Sequence, residues 1–552
     1  MNKSHKLISH LFAIRNRYGE EFTTQKLQFL ATISREKLSA KKALESWHEI
    51  LLFLLAYPDN RSVHDAATQA LQRLHSYVQS HEHLRARLYN SGITNTKLCA
   101  SFGFEIVKWL TTRFPQDVSL NSFEAGDEQI QSILSVVMPK IESEILQDGN
   151  ADWKSWIKRS LKKGESLLDK LVAIFDQGDI RPEVKDELWG AIGVNVEIKF
   201  SSHLSLPPSL ITPYYHTSIV KPKTAFTSKE LKAKQVILNE REAERIIECG
   251  RMILVRHLRE IDPISFTSAP LVTYFQLPRG LSIALMGMIP RLRHPIDSYM
   301  GYVVFKNGLP VAYAGSWILF DSGRIGLNIF PAYRGGESQY IFQQVLKLHA
   351  KVYHLNRFTV DPYQIGKDNS DGLKSGAFWT YYHAGFRPIR EQQKKLADAE
   401  ALKIKSTKGY RTPTSVLAKL ANSRMEILLD KTAAKFDATD LSRAYLNIVR
   451  NKYNGNRKLA EELMFMKLVK LLQIRSYDEE KMKFILKNWC VLLLTHEEVL
   501  RANGKIRTTL KNLFECKANG SEDEYISELQ RAKQLKYLIQ EIVSEHLGRN
   551  KI

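Results

Sequence analysis

The sequence has little cysteine and lacks any long apolar segment. Four cysteines occur in its 552 residues, at Cys99, Cys249, Cys490 and Cys516. No two of them form a CxxC pair, so the spacing indicates neither a zinc site nor a disulfide framework, and it fits a reducing compartment. The longest apolar runs, at 50–57 and 489–495, are far shorter than the roughly 20 residues that a membrane-spanning helix needs. We therefore predict no membrane span.

Dense positive runs and a secretory signal are also absent. Residues 1–16 lack an apolar core followed by a small-residue cleavage site, so we expect no signal peptide and a cytoplasmic protein. The formal net charge is nevertheless +21. A basic surface favours anionic partners such as phosphorylated cofactors, nucleic acid or membrane surface. Because the charge is scattered, it leaves nucleic acid open as a partner but supports it only weakly.

Common catalytic and metal-binding motifs are missing from the sequence. It contains no P-loop, no HExxH and no GxSxG. The polar segment Asp368–Gly372 has the composition of a calcium loop, but the downstream glutamate and the required spacing are absent, which favours an ordinary turn. The sequence therefore predicts no metal site.

Periodicity divides the chain into four parts. Apolar residues at helical spacing predict an all-helical domain over 1–198 and a helical bundle over 391–552. Residues 199–265 are expected to form a connecting segment and a helix, and 266–390 alternate in the manner of strands. The predicted fold class is α+β, with a central mixed sheet and flanking helices between two helical domains.

The connecting segment and the central part carry the clearest local signals. Tyr214 and Tyr215 lie among prolines, which suggests an extended stretch pinned to a surface before a helix over Ser228–Glu260. Asn307-Gly308 is a strong hairpin signal, because both positions of a type I′ turn need positive φ. A helix over Ser375–His383 should end at Gly385. Strands are predicted at 271–277, 281–288, 302–306, 309–320, 325–330 and 357–360.

The order of these elements from 299 to 388 resembles the GNAT (Gcn5-related N-acetyltransferase) fold. In that family a strand ends in a loop R/Q-x-x-G-x-G/A, whose amides hold the coenzyme A pyrophosphate at a helix N-terminus. Counted from Arg334, the family spacing puts Glu337 and Gln339 where glycines belong. A loop one residue shorter puts Gly336 and Ser338 at the small positions, and the apolar residues of the following helix fit this register.

A later motif strengthens the resemblance and implies a coenzyme site. Ala377 stands four residues before Tyr381, which stands four before Gly385-Phe386, as in the family. The resemblance implies coenzyme contacts from Ile329, Arg334, Gly335, Gly336, Ser338 and Asn369. Alternatively, the glycines serve only an ordinary strand-to-helix turn. A Glu337 carboxylate would repel a pyrophosphate unless it points away.

The same resemblance implies a general acid and a general base. Tyr381 would protonate the leaving thiolate, unless it is simply a packed core tyrosine. Many family members carry a basic glutamate on the strand before the loop, but no acid lies in 325–330. Asp361 is then the first candidate base, with His349 and His383 behind it. Asp361-Pro362 could instead be a strand-stop turn, and a bound water could act as the base.

The expected function is therefore an acyl-CoA-dependent N-acyltransferase, transferring an acetyl group by direct attack of an amine on the thioester. Its co-substrate would be acetyl-CoA or another acyl-CoA, without a metal. The amine acceptor is unidentified, and the helical flanks would suit a macromolecular one. The alternative is a non-catalytic GNAT-like scaffold, in which the altered loop binds no coenzyme and the helical domains bind protein or nucleic acid.

Overall fold

The computed structural model describes residues 3–148, 152–201, 205–222, 225–226, 230–477 and 479–548. The helices of the first 265 residues are α1 (Lys3–Ile14), α2 (Glu20–Ile33), α3 (Lys41–Ala56), α4 (Arg61–Ser80), α5 (Glu82–Arg87), α6 (Phe104–Arg113), α7 (Asp127–Val137), α8 (Lys140–Gln147), α9 (Trp153–Arg159), α10 (Leu167–Gln177), α11 (Pro182–Ile192), α12 (Glu240–Arg256) and α13 (Asp262–Ser265). The later helices are α14 (Ser338–Val352), α15 (Ser370–Ser375), α16 (Ala377–Ala384), α17 (Glu391–Ser406), α18 (Thr414–Leu420), α19 (Ala438–Tyr453), α20 (Arg457–Leu472), α21 (Glu480–Leu493), α22 (Glu497–Ala502), α23 (Gly504–Asn519), α24 (Glu522–Arg531) and α25 (Lys533–Leu547).

A large mixed sheet lies at the centre of the chain. The strands are β1 (Lys97–Ser101), β2 (Val118–Phe123), β3 (Val194–Lys199), β4 (Lys234–Val236), β5 (Val272–Leu277), β6 (Leu281–Met286), β7 (Ser298–Lys306), β8 (Leu309–Leu319), β9 (Ser322–Ile325), β10 (Asn328–Ile329), β11 (Arg357–Val360), β12 (Arg387–Pro388) and β13 (Met425–Leu428). The large sheet has the order β12-β13-β11-β9-β8-β7-β6-β5-β4, and β10 pairs with β8. Only β11 and β9 pair in parallel among the described strands. The predicted mixed sheet with many helices is confirmed.

The expectation that 1–198 is all-helical is wrong. Strands β1, β3 and β2 form an antiparallel three-stranded sheet within that part of the chain. Along β3, Val194, Val196 and Ile198 are buried and alternate with more exposed residues. This period of two spans only six residues beside the longer apolar pattern of α11, so the helical signal dominates the sequence pattern.

The helical expectation for 391–552 is wrong at one place. Strand β13 pairs antiparallel with β11 and with β12, so the large sheet continues past residue 390. The apolar pattern predicts a helix across this stretch, from Ser415 to Leu429, but α18 ends at Leu420. A short apolar run fits a buried strand and a buried helix equally well. This run forms a strand because it pairs with the edge of β11, which lies far from it in the sequence.

Two groups of buried apolar residues form the core. One extends from Ile8 to Ile427, also includes Ile526 of α24, and joins the N-terminal helices to the central sheet. The other consists of bundle residues from Ala434 to Val543, together with Leu319 and Phe320 at the end of β8. The N-terminal helices thus share a core with the sheet, while the C-terminal bundle has its own.

The backbone confirms one predicted turn and divides two of the predicted elements. Asn307 and Gly308 have φ of 48° and 80°, which confirms the hairpin turn between β7 and β8. The strand predicted at 325–330 is divided into β9 and β10. The helix predicted over Ser375–His383 is divided by Gly376, whose φ is 65°.

The connecting segment is held as predicted at one of its two tyrosines. The Tyr214 amide donates to Asn307 Oδ1 at 2.8 Å, and Asn307 Nδ2 donates to the Tyr214 carbonyl at 3.0 Å. Tyr215 is instead 43% exposed. The helix expected from Ser228 begins only at Glu240, after β4, and Ser228 lies outside the described residues. Across the described ranges, no helix is both long enough and apolar enough to cross a membrane.

Candidate functional site

The large sheet opens between β10 and the end of β11. Strand β9 pairs with β11 through Arg324 and Thr359, and both strands then continue. Past Ile325, however, the chain stays beside β8 in the same register, with Asn328 paired to Tyr313, and it no longer pairs with β11. Since β10 pairs only with β8 among the described strands, β10 and β11 diverge and leave an opening in the sheet.

The register of β8 shows which helices cover each face beside this opening. Ser316 Oγ lies 3.1 Å from Nε2 of His349 on α14, so the even-numbered residues of β8 face α14. The odd-numbered residues face α12. Gly250 of α12 packs against Val303, and Val303 pairs with Tyr313.

The two residues of β10 therefore point to opposite faces of the sheet. Asn328 pairs with Tyr313 and faces α12, whereas Ile329 pairs with Ala312 and faces α14. Phe330 follows Ile329 and again faces α12, where its ring stacks on Tyr313 with centroids 5.3 Å apart.

A cavity of about 620 Å³ occupies the opening. On the α12 side it is lined by His257, Tyr313 and Phe330, and on the α14 side by Ile329, Phe342 and Tyr381. The cavity thus has walls from both faces of the sheet. Five of the residues proposed from the sequence line it together, namely Ile329, Arg334, Ser338, Asn369 and Tyr381.

Tyr381 places a protonated hydroxyl at the cavity. Its side chain is only 3% exposed, and Phe342 packs edge-on against it at 5.1 Å. The Leu327 amide, between β9 and β10, donates to Tyr381 Oη at 3.3 Å. Burial raises the pKa of Tyr381 well above its ordinary value. The hydroxyl therefore keeps its proton at neutral pH and can donate it to a group inside the cavity.

The start of α14 offers the cavity unpaired backbone amides. The helix begins at Ser338, and Glu337 before it makes no capping hydrogen bond through its side chain. The first amides of an α-helix have no acceptor within the helix, and the helix dipole favours an anion there. Arg334 is exposed and lines the same wall. This wall of the cavity suits an anionic group.

Glu337 does not line the cavity, although it lies between two lining residues. Its buried carboxylate pairs with Arg279 at 2.6 Å and with Lys306 at 2.7 Å, and it accepts from the Val220 amide at 3.1 Å. Burial by itself would raise the pKa of Glu337, but Lys306 and Arg279 outweigh it and hold that pKa below its ordinary value. The negative charge beside the loop is therefore compensated within the protein.

Gly335 and Gly336 are not brought to the cavity wall. Gly335 has a φ of 86°, and its carbonyl accepts from Asn16 Nδ2 at 3.0 Å. A Cβ on Gly336 would lie 2.7 Å from Cζ of Tyr57, the residue that follows α3. Both glycines thus allow the loop to pack against the N-terminal helices, which is a different role from close approach to a coenzyme.

We predict that Gly336→Ala lowers the free energy of unfolding by about 1–3 kcal/mol, the usual cost of overpacking. Urea unfolding followed by circular dichroism would measure the change. Gly190→Ala in α11 is the matched control, because no atom lies within 4 Å of the added Cβ there. Alanine is also the better helix former. Equal effects of the two substitutions would contradict the packing role of Gly336.

The structure does not bring Asp361 to the cavity. Its carboxylate lies between Arg324 and Arg424, each at 3.2 Å, and ties β9 and β11 to the segment before β13. The two histidines considered after it are also unsuitable. His349 is fully buried with both ring nitrogens near oxygen partners, and His383 is exposed and outside the cavity lining.

Asn369 lines the cavity, but its side-chain amide is already engaged. Its Oδ1 accepts from the Gly372 amide at 3.0 Å, which caps α15, and its Nδ2 donates to the Tyr363 carbonyl at 3.0 Å. These bonds shape the wall below Tyr363. Asn369 therefore holds the lining in place, and one N–H and one oxygen lone pair of its amide remain for a ligand.

His257 is the functional candidate that the sequence did not reveal. It follows the last turn of α12, and its ring stacks on Phe330 with centroids 4.5 Å apart. Burial, and then the charges of Arg256, Arg259 and Arg334, lower the pKa of His257 to about 4. A single histidine at a helix end carries no signal in the sequence, because only the fold brings it beside the opening.

One group of potential metal ligands occurs in the described residues. His496, Glu541 and Glu545, in the C-terminal bundle, bring ligand atoms within 4.8 Å of one another. None of the three lines the cavity.

Comparison with known proteins adds no relative. No family model matches the chain, and neither a curated protein nor a solved structure matches it. The interpretation of the site therefore depends on its own geometry.

Proposed function

We propose that this chain is an acyl-CoA-dependent N-acyltransferase, transferring an acetyl or other acyl group to an amine by direct attack on the thioester. The observation that carries the proposal is the opening between β10 and β11. It joins the Tyr381 hydroxyl and the start of α14 in one cavity lined from both faces of the sheet. A cofactor and an acceptor can thus approach one reacting point from different sides, in the orientation that direct transfer needs.

The residues present fit a coenzyme with a diphosphate. The amides at the start of α14 and the Arg334 guanidinium would hold the phosphate oxygens, while Ile329 and Phe342 give the inner wall apolar surface. The Glu337 carboxylate, which would repel a diphosphate, is paired with Lys306 and Arg279 outside the lining. This fit does not require Gly335 or Gly336.

The chemistry asks little of the protein beyond positioning and proton transfer. A bound acyl-CoA supplies an activated thioester whose leaving group is a thiolate. Tyr381 Oη can give its proton to the leaving sulfur, because its oxygen only accepts from the Leu327 amide and the proton stays available. The four free cysteines fit a reducing compartment, and we place the reaction in the cytoplasm on that support.

Titration calorimetry with acetyl-CoA tests the proposal. We expect the parent protein to bind, and Ser338→Asp to weaken binding at least about 10-fold, since the new carboxylate lies beside the diphosphate. Ser338→Asn is the matched control, with the same shape and no charge. An aspartate in the first turn stabilises a helix, so the expected loss cannot be ascribed to unfolding of α14.

Two results would count against the proposal. If the parent protein binds no acetyl-CoA, the acyltransferase function is wrong. If the aspartate and asparagine variants bind equally well, the coenzyme does not place its phosphates at α14.

The competing function is a GNAT-like scaffold without catalysis, whose helical domains bind protein or nucleic acid. One observation favours it. The turn after α1 holds the loop through its carbonyls, as Arg15 Nη2 donates to the Arg334 carbonyl at 3.1 Å and Asn16 to that of Gly335. A loop fixed in this way could serve packing alone. Failure of acetyl-CoA to bind would favour this alternative.

A further inference from the structure

The cavity has a second wall, on the α12 side, that the proposed coenzyme contacts leave unused. It contains His257, Tyr313 and Phe330, and it belongs to the face of the sheet opposite α14. If the coenzyme lies along α14, the amine acceptor must reach the thioester from this side. A catalytic role for this second wall therefore rests on the proposed function.

The His257 ring is held at the opening by stacking. It lies nearly parallel to Phe330, with an interplanar angle of 19°, and Phe330 in turn stacks on Tyr313. The three rings form a stack that rests on β8. This stack fixes the imidazole plane beside the opening between β10 and β11. A general base must be held in position to act, and this stack limits the motion of the His257 ring.

The His257 ring nitrogens are also unusually free for a histidine inside this protein. Within the ranges that the structure describes, no hydrogen bond to the His257 ring is found. Burial and nearby arginines are what lower the pKa of this histidine. His349 behaves differently, with Nε2 beside Ser316 and Nδ1 beside the Val345 carbonyl. The lowered pKa of His257 keeps the imidazole neutral and its lone pair free at neutral pH, but it also makes the ring a weak base. Such a base accepts a proton from the acidic ammonium that forms as an amine adds to a thioester, and not from a free amine.

We infer that His257 is the general base that takes the proton from the attacking amine. In the full step, the amine nitrogen forms a bond to the acyl carbon and the carbon–sulfur bond breaks. One proton passes from the nitrogen to the imidazole, and one passes from Tyr381 Oη to the sulfur. Return of a proton from the imidazolium to the phenolate through solvent restores both side chains, so the reaction consumes no further reactant.

The charged residues of the lining bear on which amine fits. Arg259 and Arg334 line the cavity with one carboxylate, Asp371. Because Arg334 is assigned to the diphosphate, Arg259 is left for the acceptor, and its guanidinium attracts an amine that also carries an anionic group. Free amino acids have this combination of charges, and they are the acceptors to test first.

Chemical modification tests the position of His257 without requiring turnover. Diethyl pyrocarbonate reacts with neutral imidazoles, and peptide mass spectrometry identifies each modified histidine. We expect His257 to be modified in the intact protein and saturating acetyl-CoA to slow this at least about 10-fold, while exposed His64 on α4 stays unaffected. An unreactive His257, or one that acetyl-CoA does not protect, would overturn the inference.

A substitution tests the chemical role. We expect His257→Gln to bind acetyl-CoA within about two-fold of the parent but to release thiol with amino acid acceptors about 100-fold more slowly, the usual loss of a general base. His383→Gln is the matched control, since that histidine is exposed and outside the cavity. An unchanged rate of thiol release in His257→Gln would contradict this inference alone. A parent protein that binds no acetyl-CoA would contradict the proposed function.

Discussion

Replacing Glu337 with alanine is expected to lower the free energy of unfolding by about 3–5 kcal/mol, the usual cost of removing one partner from a buried ion pair. Both Glu337 and Lys306 have fully buried side chains, and their charged atoms lie 2.7 Å apart. Alanine at 337 would leave the Lys306 ammonium inside the protein with only the Arg279 carbonyl as its remaining hydrogen-bond partner among the described residues.

Urea unfolding of Glu337→Ala, compared with Glu462→Ala, measures this effect. Glu462 pairs with Lys458 at 3.9 Å on the surface of α20, where both side chains are largely exposed. Such pairs contribute about 0–1 kcal/mol, so the control should change little. If the two variants lose similar stability, the buried pairing of Glu337 stabilises the fold no more than a surface ion pair does.

The ion pair of Glu337 with Lys306 also predicts how the free energy of unfolding changes with pH. The pKa of Glu337 is lower in the folded protein than its ordinary value of 4.5, so its stabilising effect is present above that value. The effect is lost as the pH falls through the folded-state pKa. The difference in stability between the parent and Glu337→Ala should therefore shrink in acid, and a constant difference would contradict the ionic pairing.

Tyr381→Phe is expected to slow thiol release about 10²–10³-fold while acetyl-CoA binds within about two-fold of the parent, the behaviour of a lost general acid. The phenyl ring keeps the contact with Phe342, and only the hydroxyl beside the Leu327 amide is removed. Steady-state rates with a thiol reagent, together with calorimetry, separate the two quantities.

Tyr382→Phe is the matched control for this substitution. Its hydroxyl donates to Asp398 at 2.9 Å, and the residue does not line the cavity. An equal fall in both variants, or a loss of acetyl-CoA binding in Tyr381→Phe, would show that the Tyr381 hydroxyl acts through structure and is not the acid.

The parts of the fold that the sequence predicts correctly are those specified by neighbouring residues. Strand β11 covers Arg357–Val360 as expected, and the Asn307-Gly308 turn depends on the positive φ that its two residues tolerate. Strands β4 and β12, of three and two residues, are not predicted, and neither are β1, β2, β3 and β13. Their short apolar patterns fit a helix equally well, and distant strands decide their pairing.

The candidate site is predictable to a similar extent. Motif spacing selects Ser338 and Tyr381, which the fold brings to one cavity. The role of Gly336 cannot be foreseen from its neighbours, because the ring it accommodates, Tyr57, is contributed by the residue after α3, far earlier in the chain. His257 escapes prediction for the same reason, since its importance depends on stacking with Phe330.

A crystal structure of the protein with coenzyme A would test the central claim most directly. It is predicted to show the diphosphate against the first turn of α14 and the sulfur in the opening between β10 and β11, within hydrogen-bonding distance of Tyr381 Oη. Glu337 should stay paired with Lys306. A coenzyme bound elsewhere, or a cavity left without coenzyme at saturating concentration, would contradict the claim that this opening is an acyltransferase site.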